Sequence, residues 1–318
     1  MVSRTKPQLG RVVVALLLVY LLWGSTYAAN EIMLETIPPL LGTSSRFLVA
    51  GVVLCAFLLP GHGWKRFRMP STWLGSAAVA GLFTLAAARG LVTYGQQFTS
   101  SGLAALIVAT VPLWIVLYRA LSGDRARPVV LLGVAVGFVG IALLCLSSGL
   151  DTAGVSAVGI AALLTAALCE AGGTFGTARL AMPSDPLVTV TIQMSTAGTA
   201  LLVLSFVTGE VHTGVISDAS SASSLAVLYL AIPGGVVPFA CLVWLLRNAP
   251  MSIASTYAYV NPVIALLLGW LLLGERLPPV ALAGSVLVLV AVITVIRYDS
   301  RKMGNPDDQE HRTGRTTP

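Results

Sequence analysis

Three charged residues sit inside long apolar runs: Arg46 in GTSSRFLVAG, Arg89 in LAAARGLVTY and Glu170 in AALCEAGGTF. A charge at the centre of a bilayer costs about 2.5–3.5 kcal/mol on insertion scales, so each is a functional candidate by default. The arginine fork matches a carboxylate bidentately, and Arg46 and Arg89 are therefore expected to meet a substrate carboxylate. The structural alternative is pairing with Glu31 or Glu35, or bonding of exposed carbonyls beside a glycine. Glu170 is the one acidic residue deep in such a run and is the candidate for taking up and releasing a coupling proton. Its alternative is a neutral or arginine-paired residue that locks helices together.

A second set is polar and aromatic. Trp23, Thr26 and Tyr27 lie late in the first apolar run, and Thr174 lies at the matching place in the second half. Serine and threonine can equally bond their own helix backbone. Gly172 and Gly176 have small-xxx-small spacing, which suits close helix packing. Asn261-Pro262 interrupts a late run, and Pro112 marks its counterpart. Proline frees a carbonyl one turn earlier, and inside a membrane that group needs a partner, often along a cavity. Tyr257 and Asn261, four residues apart, share a helix face and are expected to line the cavity or to bond between helices.

These residues need elements to hold them. The chain has 318 residues, 56% hydrophobic and 10% charged. Soluble domains carry about 25% charged residues, so lipid must cover most of this surface. Lipid offers the backbone no hydrogen bonds, and each apolar run of about 20 residues must be a helix. Ten are predicted: 12–31, 38–60, 71–93, 99–121, 129–148, 155–178, 186–208, 222–246, 251–273 and 278–297. The fold class is thus all-α integral membrane. At about 1.5 Å per residue, Arg46 and Arg89 fall in the outer half of the bilayer and Glu170 in the inner half. Residues 1–11 form a cytoplasmic N-terminus, and the polar tail 298–318 is expected to be disordered and cytoplasmic. Arg4, Lys6 and Arg11 before an apolar run imitate a signal peptide. The run is long for one, and a segment in the second half resembles it, so retention is expected.

With the N-terminus inside, sixteen of the nineteen Lys and Arg fall in inner segments, and the outer loops keep Arg276 alone. That sorting supports ten spans with both termini cytoplasmic. The net charge of +6 is spread over these loops as a topology signal. It forms no basic stripe, so no nucleic-acid partner is expected. Cys55, Cys145, Cys169 and Cys241 lie in apolar runs, and His62, His212 and His311 match no ligand spacing. Neither disulfide, metal nor cofactor is expected.

The halves match each other. Gly123-Asp124-Arg125, Pro128 and Gly133 align with Gly274-Glu275-Arg276, Pro279 and Gly284 at offset 151. Pro39, Ala50 and Gly51 align with Pro186, Ala197 and Gly198 at offset 147, and Thr26-Tyr27 with Thr174-Phe175 at offset 148. Two repeats, 12–148 and 155–297, follow. Five spans is an odd number, so the second repeat enters the membrane in the opposite sense. Inverted repeats are the mark of secondary transporters with a midplane site between the halves.

Trp23-Gly24-Ser25-Thr26-Tyr27, Arg46-Phe47, the stretch Gln97–Ala104 leading to Pro112, and the Gly-acidic-Arg corners resemble the drug/metabolite transporter superfamily, EamA-type branch. Asp124 departs from it, where the family usually has Glu. The resemblance implies two inverted five-helix EamA repeats and a cavity lined by both halves. It implies export or exchange of small metabolites, often amino acids, across a cell (inner) membrane, as a monomer or homodimer. It also favours a structural or gating role for Arg46, since relatives with different cargo share it. Drug or toxic-compound efflux on the same fold is one alternative, and a membrane sensor or scaffold without transport is another. A membrane enzyme would need convergent catalytic groups, and ATP-driven transport a GxxxxGK[ST] loop. The sequence shows neither.

Overall fold

The computed structural model describes residues 6–60, 63–123, 128–147, 156–215, 217–275 and 279–303. The remaining tail, 304–318, residues 1–5 and the corner 124–127 lie outside the described residues. The described elements are helical. Seven are long and apolar enough to cross a membrane: Leu9–Leu34, Pro39–Leu58, Ser71–Gln96, Ser101–Leu121, Ala157–Thr177, Pro186–Val207 and Ser221–Asn248. Three further apolar helices, Pro128–Ser147, Tyr257–Leu273 and Pro279–Met303, complete ten spans, named below by their order in the chain. The tenth runs on past Arg297 to Met303, so the stretch expected to be disordered begins as helix. Large apolar side chains such as Leu132, Val207, Leu271 and Leu272 point outward at 63–78% exposure, as a lipid-facing surface requires.

The spans pair as two related halves must. Second packs on seventh and fifth on tenth; third packs on sixth as first does on eighth; fourth packs on sixth as first does on ninth. Related spans run antiparallel. Along the fifth and tenth, a Cβ on Gly133 would meet Thr294, on Gly137 Ala291, and on Gly140 the carbonyl of Gly284. Those three glycines therefore pack within the chain. Second and seventh are stapled at both ends. The Glu210 carboxylate accepts from the N–H groups of Leu40 (3.3 Å) and Leu41 (2.9 Å), and Arg66 pairs with Asp185 at 3.3 Å. Homologous spans that lie antiparallel are exchanged by a twofold axis in the membrane plane.

Two local irregularities repeat with the halves. A π-helical turn occupies Leu82–Ala87 in the third span and Ile232–Val236 in the eighth. Pro233 with Gly234-Gly235 accounts for the second, whereas the first has no proline. Such bulges cluster at functional sites, and the one in the third span ends at Ala87, two positions before Arg89.

Helix breaks sit beside both sequence-marked prolines. In the fourth span the helix stops at Val108 and resumes at Val111, with Pro112 in its first turn. In the ninth, the Asn261-Pro262 break is not where the sequence puts it. The helix Tyr257–Leu273 runs through Pro262, and the interruption falls at Ser255-Thr256, after a short helix Met251–Ala254. Thr256, Ala258 and Tyr259 donate to carbonyls three residues back. This tightened turn absorbs the distortion upstream of the ring.

Candidate functional site between the halves

Arg89 Nη2 donates to Glu170 Oε1 at 2.7 Å. The pair joins the third span to the sixth, one from each half. It replaces the expected split of these residues between the outer and inner halves of the bilayer. The two spans run antiparallel: a Cβ on Gly173 would meet Thr84, and one on Gly159 would meet Thr99. Each Cα–Cβ bond leans toward its own helix N-terminus, so here the two side chains lean toward each other. Arg89 pairs with Glu170 and not with Glu31 or Glu35, and Glu170 is thereby the arginine-paired residue of its structural alternative.

The first and ninth spans close the site. Tyr27 and Tyr257 each lie near enough to feel both charges of the pair. Trp23 packs edge-on against Tyr257 at 4.9 Å and against Phe239 at 5.2 Å between ring centroids. A turn beyond Tyr257, Asn261 lies beside Gly24, where an added Cβ would be 3.2 Å from its carbonyl and 2.6 Å from Ile264. Asn261 Oδ1 and Glu170 Oε2 are both buried and accept no hydrogen bond. The side chains of Arg89 and Glu170 nevertheless keep 29% and 20% of their surface accessible. That accessible surface is flanked by spans of both halves.

Arg46 reaches the same region by a different route. It is 6% exposed, and its Nη1 donates to Asn30 Oδ1 at 3.2 Å. Asn30 Nδ2 donates to Gln96 Oε1 at 2.9 Å, and Gln96 Nε2 donates to the Tyr27 carbonyl at 3.0 Å. The chain of bonds runs from the second span through the first and third to the backbone of a cavity tyrosine. Neither Glu31 nor Glu35 pairs with Arg46. The sequence does not mark Asn30 or Gln96; the available signal is an uncharged amide at the end of the first apolar run for Asn30, and Gln96 falls just beyond the third.

The other expected residues stand apart. Thr26 Oγ1 donates to its own helix at the Trp23 carbonyl (2.6 Å), and its methyl lies near Gly234. Ser25 does likewise to Leu22 (3.0 Å), and such back-bonding bends helices, here at the Gly24–Thr26 step. Thr174 is exposed, one turn beyond Glu170, and no described contact ties it to the pair. Of the small residues near it, Gly173 is the one pressed by a neighbour, while a Cβ on Gly176 would meet nothing within 4 Å.

The end bearing Glu210 carries two further acidic contacts. Glu275 accepts from the N–H groups of Ser101 (2.7 Å) and Gly102 (3.1 Å), capping the fourth span from the end of the ninth. A carboxylate at a helix N-terminus satisfies orphan donors and complements the dipole. Its counterpart corner, Asp124-Arg125, lies outside the described residues. An open cleft of about 420 Å³ at this end is lined by Glu35, Pro38, Tyr94, Gln97 and Glu210 among others.

Comparison with known proteins fits this geometry. Residues 10–146 and 157–297 each match the EamA-like transporter family. Over 288 residues the chain is 37% identical to YedA of Escherichia coli (strain K12), named an uncharacterized inner membrane transporter, covering 89% of this chain and 90% of that one. It is 28% identical to PecM of Dickeya dadantii (90% and 94% covered). It is 29% identical to a probable terminal-alkyne amino-acid exporter of Streptantibioticus cattleyicolor (91% and 95% covered). One solved crystal structure shares the fold at TM-score 0.60 and 20% identity, over 93% of this chain and 99% of that one. With two inverted five-helix repeats and a family match in each half, the chain belongs to the EamA-like transporter family of membrane transporters.

Proposed function

We propose that this transporter exports small metabolites, amino acids or related compounds, by alternating access around the Arg89–Glu170 cavity. It does so from the inner membrane with both termini cytoplasmic. The observation that carries the reading is the pair itself. A charged contact of 2.7 Å joins the two halves, with Tyr27 of one and Tyr257 of the other beside it. A site built half from each inverted repeat is reshaped whenever one half rocks against the other. Trp23, Tyr257 and Asn261 give it an apolar body and a polar rim, the composition of a small-molecule site. Glu170 carries the coupling proton: protonation releases Arg89, and deprotonation recaptures it. The cleft at the Glu210 end is the external mouth.

The test is export of a labelled metabolite panel from cells with and without the chain. Faster efflux of at least one solute supports the reading. Equal efflux for every solute would point instead to a sensor or scaffold.

A further inference from the structure

Burial along the sixth span changes at Glu170. Val158, Thr165 and Gly176 are exposed and share one face, which faces lipid along the whole helix. Thr174 lies about 160–180° round the axis from them, at 3.6 residues per turn. It falls midway between the two flanking spans: Gly173 meets Thr84 of the third on one side, and Phe175 stacks on Tyr118 of the fourth on the other. On this inward face Leu163 and Ala167 are 0% exposed. Glu170 keeps 20% of its side-chain surface, and Thr174 and Ala178, one and two turns further on, are exposed.

Two neighbouring spans change in the same sense. In the fourth, every residue from Ser101 to Thr110 is buried, whereas from Val111 to Ala120 only Leu113 and Val116 are. In the ninth, Ala265 and Gly269 are buried and Tyr257 and Asn261 are half-buried. The buried half of the fourth span packs on the first, third, sixth and ninth. Glu275 caps its first turn, and a Cβ on Gly102 would lie 2.7 Å from Leu266. The bundle is therefore tight at the Glu210 end and splayed at the Arg179 end. At the splayed end Tyr118 stacks on Phe175 at 5.9 Å between ring centroids, and the Arg179 guanidinium carbon sits 3.9 Å from the Phe175 ring centre.

We propose that the structure holds a water-filled vestibule at the Arg179 end, through which cargo reaches the Arg89–Glu170 pair from the cytoplasm. Thr174 and Ala178 line it, the Tyr118–Phe175–Arg179 stack edges it, and Ser101–Thr110 is the plug beyond the pair. This rests on the transporter reading above for its cargo and its orientation, and it names the side from which the site loads. An exporter must load from the cytoplasm, and the cleft at the Glu210 end then stops at the plug.

Water on a helix face is told from lipid by a thiol reagent that needs water. Thr174→Cys, Thr165→Cys and Ser217→Cys are made in the full chain. Sealed membrane vesicles of both orientations are treated with the impermeant reagent trimethylammonioethyl methanethiosulfonate, and peptide mass spectrometry reads each new cysteine apart from the native four. Thr174→Cys is expected to react at least tenfold faster from the cytoplasmic face than from the other. Thr165→Cys should react from neither face, and Ser217→Cys, in the loop after the seventh span, from the outer face alone. Ala178→Cys is the second vestibule position and should follow Thr174→Cys. Labelling of both vestibule cysteines no faster than Thr165→Cys would show that they face lipid or protein and overturns the proposal. Labelling of both from the same face as Ser217→Cys also overturns it. Reaction of Ser217→Cys from the cytoplasmic face overturns the assignment of the vestibule to the cytoplasm. Labelling needs no cargo, so sided labelling in a chain that exports nothing sinks the transporter reading and leaves the vestibule standing.

Discussion

Arg89 and Glu170 stand 81 residues apart in the chain and share a 2.7 Å hydrogen bond between the two halves of the molecule. Removing one partner strands the other's charge, while removing both does not. Arg89→Gln and Glu170→Gln should each lower stability by less than the about 3–5 kcal/mol typical of fully buried pairs, because both side chains remain partly accessible. The double variant should recover most of that loss. Thermal midpoints of the four proteins in one detergent give the cycle, and additive losses would show that the pair does not couple the halves.

Proton coupling makes a separate demand on Glu170. In proteoliposomes, Glu170→Gln should abolish accumulation driven by a pH gradient and should leave exchange down a substrate gradient measurable. Intact pH-driven accumulation in this variant would remove Glu170 from the coupling step.

The caps at the Glu210 end are structural, and their effects should be modest and local. Glu275→Ala frees the N–H groups of Ser101 and Gly102 and should cost about 1–2 kcal/mol, the usual range for a helix cap. Glu210→Ala should do the same at Leu40 and Leu41. Hydrogen exchange at the first turns of the fourth and second spans, respectively, is the sensitive readout. An unchanged exchange rate would show that those turns do not rely on the carboxylates.

Glycines that look alike in sequence should respond differently. At Gly140 an added Cβ meets the Gly284 carbonyl at 2.9 Å, so Gly140→Ala should cost about 1–3 kcal/mol through overpacking. At Gly176 it meets nothing within 4 Å, and alanine should be neutral or stabilise by up to about 1 kcal/mol through helix propensity. Thermal midpoints of the two variants should separate in that order.

The architecture was legible because the bilayer leaves few choices. Apolar length marks the spans, and the offsets 147–151 survive in the helix starts Pro39 and Pro186, and Pro128 and Pro279. The site was legible in part. Charge in an apolar run marked Arg46, Arg89 and Glu170 correctly as interior groups, but depth counted along a straight helix separated two residues that touch. The ends of the third and sixth spans are not level: Gly159 lies beside Thr99 and Gly173 beside Thr84, which brings Glu170 to the turn of Arg89. Glu275 stands out in the sequence as a corner residue and Glu210 not at all, and nothing local shows that each folds back onto another span's first turn. Asn30 and Gln96 carry no charge to betray them. Thr174 aligns with Thr26, yet neither hydroxyl joins the pair: Thr26 bonds its own helix at Trp23, and Thr174 is exposed.

The central claim is that cargo passes through the space around Arg89 and Glu170. It is tested most directly by the efflux time course of the labelled panel from cells carrying the wild-type chain or the Arg89→Gln/Glu170→Gln double variant at equal membrane abundance. The account predicts accelerated efflux of at least one solute with the wild type and background efflux with the double variant. Wild-type efflux from the double variant would contradict it.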